Sequence, residues 1–224
     1  MSRELLKINE IFETIQGEGT QTGTASVFVR LQGCDVGCAF CDTKHTWADD
    51  TGSVKKLEYI LYKNTDTEHW CWLQNFDLYQ LINNKFKAKH IVFTGGEPCL
   101  YDLTRATNYF IQGKYTCQIE TSGTEEIKCN PKTWVTVSPK INMSGGKKLI
   151  PSAIERANEI KMPIGKQKDI DTLKDFIKDY QIKDKSIYLQ PLSQSKKATE
   201  LCVQSCIDYN WKISVQTHKY IGLR

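Results

Sequence analysis

Three cysteines, Cys34, Cys38 and Cys41, stand in the run GCDVGCAFCDT with the spacing C-x3-C-x2-C. Three thiolates on one short loop can hold three irons of a 4Fe–4S cube and leave the fourth iron open to a small molecule. Electron-transfer clusters usually have four cysteine ligands and no vacancy, so a set of three points to chemistry at the cluster. Zinc asks for four ligands, commonly as two short pairs, and no second pair is obvious here. A disulfide framework belongs to small secreted domains rather than to a chain of this size without an export signal. Cys202 and Cys206, four apart on an expected helix, could be half a metal site; small core residues on one face is the stronger reading.

Other polar or glycine-bearing runs sit where strands are expected to end. The expected strands are Val27–Leu31, His90–Thr94, Cys117–Glu120, Trp134–Ser138, Ile187–Gln190 and Lys212–Val215, with Ile160–Pro163 weakened by its proline. The thiol loop follows the first. TGGEP, ETSGT, SPK and QPLSQ follow the next three and Ile187–Gln190. Amphipathic helices are expected between them: Val54–Lys63, Asp77–Asn84, a helix opened by a Ser152/Glu155 capping box and running toward Ile160, Asp171–Tyr180, and one capped by Ser195. Strands alternating with helices imply an α/β fold with a mostly parallel sheet, and such sheets gather ligands at their strands' carboxyl ends. About six mostly parallel strands are too few for a closed eight-stranded barrel. The expectation is a partial, splayed TIM-like barrel with helices outside and an open side for substrate. Asp42–Asn75, with aromatics and charges but no clear strand, reads as an insert or a surface helix region within one domain spanning residues 1–224.

The 224 residues are 40% hydrophobic and 25% charged, with a net charge of +4, ordinary values for a soluble globular chain. The basic residues are dispersed. Lys166–Lys168 and Lys196–Lys197 read as solvated faces, so no direct nucleic-acid partner is expected. The start MSRELLKINEIFET lacks a long apolar core for a signal peptide, and no run of about 18 apolar residues suggests a membrane span. Nine cysteines without an export signal fit a reducing cytoplasm.

Beyond the thiol loop, the runs INEIFETIQGEGTQTGTASVFVRLQGC, CDTKHTW, TGGEPCL, IETSGT, WVTVSPK and QTHKY resemble the 7-carboxy-7-deazaguanine synthase family of radical S-adenosylmethionine (SAM) enzymes, from about Ile8 to Tyr220. C-x3-C-x2-C is shared by the whole superfamily; IQGEG, the FCDT tail and SPK together are more specific. The resemblance implies conversion of 6-carboxy-5,6,7,8-tetrahydropterin to 7-carboxy-7-deazaguanine with loss of ammonia, on the route to queuosine. It also implies three cofactors: a 4Fe–4S cluster on Cys34, Cys38 and Cys41, SAM, and Mg²⁺ on Thr43. SAM is expected at Gly96, Glu97, Ser138, Pro139 and Lys140 and at Gln190, Pro191, Leu192 and Ser193. Substrate is expected at Ile15, Gln16, Gly17, Glu18, Arg30 and Thr94, with Glu18 accepting from pterin N–H groups and the Arg30 fork meeting the carboxylate. No side chain is assigned a catalytic role, because the radical derived from SAM does the chemistry.

Phe40 is expected beside the cluster or in the core. Glu120, Thr121 and Ser122 are further candidates or a simple turn, and His218 is a structural histidine or a site residue. A flavodoxin-like electron donor and a homodimer are implied as partners. Two rivals share part of this pattern. A glycyl-radical-activating enzyme shares the thiol loop and GGE but leaves IQGEG unexplained. A non-enzymatic metal-binding protein predicts no SAM cleavage.

Overall fold

In the computed structural model, which describes residues 5–223, the chain builds one nine-stranded sheet. The strands are β1 (Leu5–Ile15), β2 (Ala25–Leu31), β3 (Cys71–Gln74), β4 (His90–Gly95), β5 (Thr116–Thr121), β6 (Trp134–Val137), β7 (Glu159–Ile164), β8 (Ser186–Pro191) and β9 (Lys212–Ile213). Their order in space is β3-β1-β2-β4-β5-β6-β7-β8-β9. From β2 to β9 every pairing is parallel, and β1 runs antiparallel to both β2 and β3. The helices α1 (Leu57–Tyr62), α2 (Asn75–Lys85), α3 (Thr104–Gln112), α4 (Pro151–Arg156), α5 (Gln167–Asp179), α6 (Lys196–Tyr209) and α7 (Thr217–Tyr220) complete the fold. This is the expected open, barrel-like α/β sheet, enlarged from about six strands to nine.

Two of the added strands lie where none was expected. β1 was hidden because its apolar alternation breaks at a register shift between Ile8 and Glu10, where Asn9 and Glu10 are themselves buried. β3 lies inside Asp42–Asn75, which is therefore not strandless, and α1 occupies only part of Val54–Lys63. The Ser152/Glu155 capping box does not form. Pro151 opens a single short helix after Ile150, which gives no side-chain cap, and α4 ends at Arg156 so that β7 can begin at Glu159. Pro163 is tolerated in β7 because β6 pairs only with Glu159 and Ile160 and has ended before the proline. Ser195 does occupy the residue before α6, without a side-chain capping bond.

The parallel strands alternate with a period of two, and their two faces differ in kind. One face buries Ile91, Phe93, Cys117, Ile119, Val135, Val137, Ile160 and Met162 in two apolar clusters. The other face carries His90, Gln118, Thr136, Glu159 and Lys161, all buried, and Glu120 beside them. Buried polar groups persist only when satisfied, and these form one network. His90 meets Thr116 and Gln118, Gln118 donates to Glu120 and Thr136, and Thr136 donates to Glu159. Cys202 is fully buried in the second cluster with Cys206 packed against it, a core role rather than half a metal site.

A cleft at the strand carboxyl ends

The Gln16–Thr20 loop after β1 spans the open side of the sheet. Thr20 N donates to Glu159, the Thr20 hydroxyl contacts Tyr188, Gly19 N donates to Ser214 and Thr217 N donates to Gly17. Such close crossing requires glycine. A Cβ on Gly17 would lie 2.9 Å from the backbone N of His218, and one on Gly19 (φ +65°) would run into the Glu159 carboxylate. Gly17 therefore seats the C-terminal turn and lies outside the cleft lining.

The thiol loop is held by backbone as well. Gly145 N donates to Val36, and Ser144 Oγ to the Gly37 carbonyl at 2.7 Å. Glu97 N donates to Gly33, and a Cβ on Gly96 would lie 2.7 Å from the Gly33 carbonyl carbon. The three cysteines line one cleft of about 340 Å³ with Thr43, Thr94, Gly96, Glu97, Ser138, Lys140, Gln190, Pro191, Leu192 and Ser193. Pro139 is buried and outside the lining. Burial raises the Cys34 thiol to about 11 and raises Cys38 too, with Lys140 opposing at Cys38. Burial lowers Lys140, which the Cys38 thiolate counteracts. Its ammonium donates to Ser138 Oγ at 2.6 Å and sits 5.5 Å from the Phe40 ring centroid. Phe40 is 42% exposed, so it is not a core residue.

Glu97 is 1% exposed with both oxygens occupied. Oε1 accepts from Cys99 N and Thr121 Oγ1, and Oε2 from Ser122 N and Ser122 Oγ. It ties the TGGEP turn to the end of β5 and has no acceptor left for the SAM amino group. Thr121 and Ser122 serve in this clamp.

An adjoining pocket of about 200 Å³ shares Glu18, Asp42, Thr43, Thr94, Glu120 and Gln216 with the cleft and adds Ile15, Gln16, Arg30, Phe12, Phe28 and His218. The Phe12 and Phe28 rings stack with centroids 5.4 Å apart. Arg30 donates from Nε to Glu10 at 2.9 Å. On the shared wall, Lys161 Nζ donates to Glu18 Oε2 and to Glu120 Oε2, each at 2.5 Å. Glu18 also accepts from Gln216 and Gln190, and Glu120 from Gln16 and Gln118. Burial pushes Glu18 up, but Lys161 and the Gln216 hydrogen bond outweigh it and hold the carboxyl down at about 2. Glu120 is raised, burial outweighing Lys161. His218 is lowered by burial.

Sequence reasoning had missed Lys161, Gln216, Asp42, Phe12 and Phe28. The available signal was polar residues at alternate positions within apolar strands, Gln118/Glu120 and Glu159/Lys161, which marks a polar inner face.

The donor sets suit the implied groups. Three soft thiols on one loop match an iron–sulfur cluster. Gln190 Oε1, a buried atom on the cleft wall, has no partner among the described residues and can receive a ligand N–H. Thr43 Oγ1 and the Asp42 carboxylate are hard oxygens at the seam, suited to Mg²⁺ only with waters or ligand oxygens added. Elsewhere Glu10, His45 and Asp66 converge within 4.8 Å. Arg30 and Lys63 beside Glu10 already supply positive charge there.

Fold and site together define an α/β enzyme with a three-thiol loop and a charged pocket meeting in one cleft at the carboxyl ends of its parallel strands. The chain is 48% identical to the 7-carboxy-7-deazaguanine synthase of Escherichia coli (strain K12), covering 96% of this chain and 98% of that one. It is 48% identical to that of Buchnera aphidicola subsp. Schizaphis graminum (97% and 98%) and 34% identical to that of Flavobacterium psychrophilum (98% and 93%). The crystal structure of QueE from Escherichia coli superposes with a TM-score of 0.92 at 46% identity, covering 94% of this chain and 93% of that one. No family model matches the chain. The chain belongs to the 7-carboxy-7-deazaguanine synthase family.

Proposed function

We propose that this protein is a radical SAM lyase. It converts 6-carboxy-5,6,7,8-tetrahydropterin to 7-carboxy-7-deazaguanine with loss of ammonia, supplying a queuosine precursor. The observation that carries the reading is the shared wall: the thiol-lined cleft and the Arg30 pocket meet at Asp42, Thr43 and Thr94. A cofactor in one and a substrate in the other would therefore touch. When bound, the cluster and SAM supply one-electron chemistry able to take a hydrogen atom from a C–H bond.

The remaining work falls to this chain. Cys34, Cys38 and Cys41 would hold the cluster, and the Lys140 ammonium beside them would offset its negative charge. Gly96, Ser138 and Gln190 through Ser193 form the SAM wall. Arg30 spends Nε on Glu10 and offers its terminal nitrogens to the substrate carboxylate, a bidentate match. Phe12 and Phe28 give a flat heterocycle an apolar face. Glu18, Glu120 and Gln16 face its N–H edge, and Thr43 with Asp42 would hold Mg²⁺, which would supply positive charge beside a bound carboxylate. Positioning and exclusion of water are the protein's share in such an enzyme.

Residues 1–224 act as one domain, with 42–75 as a family-specific insert. A flavodoxin-like donor delivers the electron, and a second copy of the chain completes a homodimer; the family resemblance supports both partners. The cytoplasm is the expected location, and no helix among the described residues is long and apolar enough to cross a membrane.

The test is anaerobic turnover. Reconstituted, reduced protein is given SAM, Mg²⁺ and 6-carboxytetrahydropterin, and products are identified by mass spectrometry. Formation of 7-carboxy-7-deazaguanine is expected. SAM cleavage with the pterin untouched would refute the substrate assignment.

A further inference from the structure

Lys161 projects from β7 into the wall shared by the two parts of the cleft. Its side chain is 5% exposed, and its ammonium lies between two carboxylates that are each 16% exposed. Those carboxylates come from distant parts of the chain: Glu18 from the loop that closes the sheet, Glu120 from the end of β5. Both line both pockets. Without the cation, two largely buried carboxyl groups would share one small space. Like charges so placed cannot both stay ionised, and one takes up a proton.

A protonated carboxyl is a hydrogen-bond donor where the ionised group only accepts. The protonation state of this pair therefore decides which ligand edge the floor can read. We propose that Lys161 is a positioning and specificity-determining residue: by donating to both, it holds the Glu18 and Glu120 carboxyl groups side by side as acceptors, so that the site selects heterocycles whose recognition edge carries N–H donors. The chemical class is a fused ring with an amino group beside a ring N–H, as in a 2-amino-4-oxopyrimidine. A ring with a carbonyl in place of that amino group is rejected, because its oxygen would face a carboxylate. This rests on the substrate reading above and adds the device that enforces it.

Other charged groups reach the pair. Glu159 lies two residues away on β7 and acts on Glu120, while His218 acts on Glu18 from the C-terminal turn. Lys140, beyond β6, feels Lys161. Glu159 is tied to Thr136 and Thr20, and Lys140 to Ser138. Only Lys161 among them bonds both carboxylates.

The test is equilibrium binding to the SAM-loaded, cluster-bearing protein by fluorescence, independent of turnover. The probes are 6-carboxypterin and 6-carboxylumazine, which differ by amino against oxo at position 2. The wild type is expected to prefer the pterin by about 100-fold, because a carboxylate facing an oxygen leaves both unpaired. Referred to the probes with their own ring N–H groups still protonated, that preference should be flat from about pH 6 to about pH 9, with Glu18 ionised throughout. Lys161→Met is expected to lose most of the preference at the acid end and recover it as pH rises and the shared proton leaves. Lys161→Arg should restore the wild-type profile.

If Lys161→Met folds poorly, Lys161→Met/Glu120→Gln carries the test. With one carboxylate left there is no shared proton, only the burial of Glu18 opposed by its Gln216 hydrogen bond, so its preference should vary less with pH than that of the single variant. A uniform loss of affinity for both probes at every pH would mark Lys161 as merely structural and overturn the inference. So would a pH-dependent preference in the double variant equal to that of the single one. A wild type that binds neither probe would instead refute the substrate reading, and this inference with it.

Discussion

Gly96→Ala tests whether backbone contact, rather than side-chain packing, seats the thiol loop. The new Cβ would lie 2.7 Å from the Gly33 carbonyl carbon, nearer still to its oxygen, and 3.2 Å from the Cys34 Cβ. None of these is the far end of a flexible side chain, so the chain itself must move. Restoring ordinary contact requires a shift of about 1 Å at Gly33–Cys34. Overpacking of this kind costs about 2 kcal/mol, which lowers Tm by about 4–8 °C in a chain of this size. A shift of about 1 Å in a reacting geometry costs about 100-fold in rate. The assays are iron and sulfide content after reconstitution, Tm by calorimetry, and turnover. Gly52→Ala is the control, since its nearest neighbour, Asp50 Oδ1, would sit at an ordinary 3.4 Å. Full iron loading, unchanged Tm and undiminished turnover in Gly96→Ala would refute the reasoning.

Glu97→Gln places an amide where a carboxylate accepts four hydrogen bonds, turning two donors against a donor; a loss of about 2–4 kcal/mol is expected by denaturant titration. Arg30→Lys removes the fork while keeping the charge, so KM for the pterin should rise about tenfold or more with iron content unchanged. Burial lowers His90, so the native state binds fewer protons than the unfolded chain, whose histidines titrate near pH 6.5. Stability should therefore fall as pH drops from about 7 to about 5, and His90→Asn should flatten that slope in pH-resolved thermal unfolding.

The parts of the site legible in the sequence were those carried by adjacent residues. Cys34, Cys38 and Cys41 and the runs TGGEP, SPK and QPLSQ each follow a strand, and the sheet brings their ends to one cleft. What depends on pairing across the sheet was not legible. Lys161 in IKMP looks like one lysine in a weak strand. Its meaning comes from Glu18 and Glu120, 143 and 41 residues away. The clamp that Glu97 makes was not legible either, because its four donors come partly from a strand end that chain order does not place beside it. β1 escaped notice because Asn9 and Glu10, buried polar residues at a bulge, break the alternation that marks a strand.

The most direct measurement counts product and SAM in the same anaerobic reaction, for the wild type and for Cys38→Ala. The account predicts 7-carboxy-7-deazaguanine from the wild type in excess of the SAM lost, and none from Cys38→Ala. Product from a Cys38→Ala protein that holds no iron, or SAM consumed by the wild type with no product formed, would contradict it.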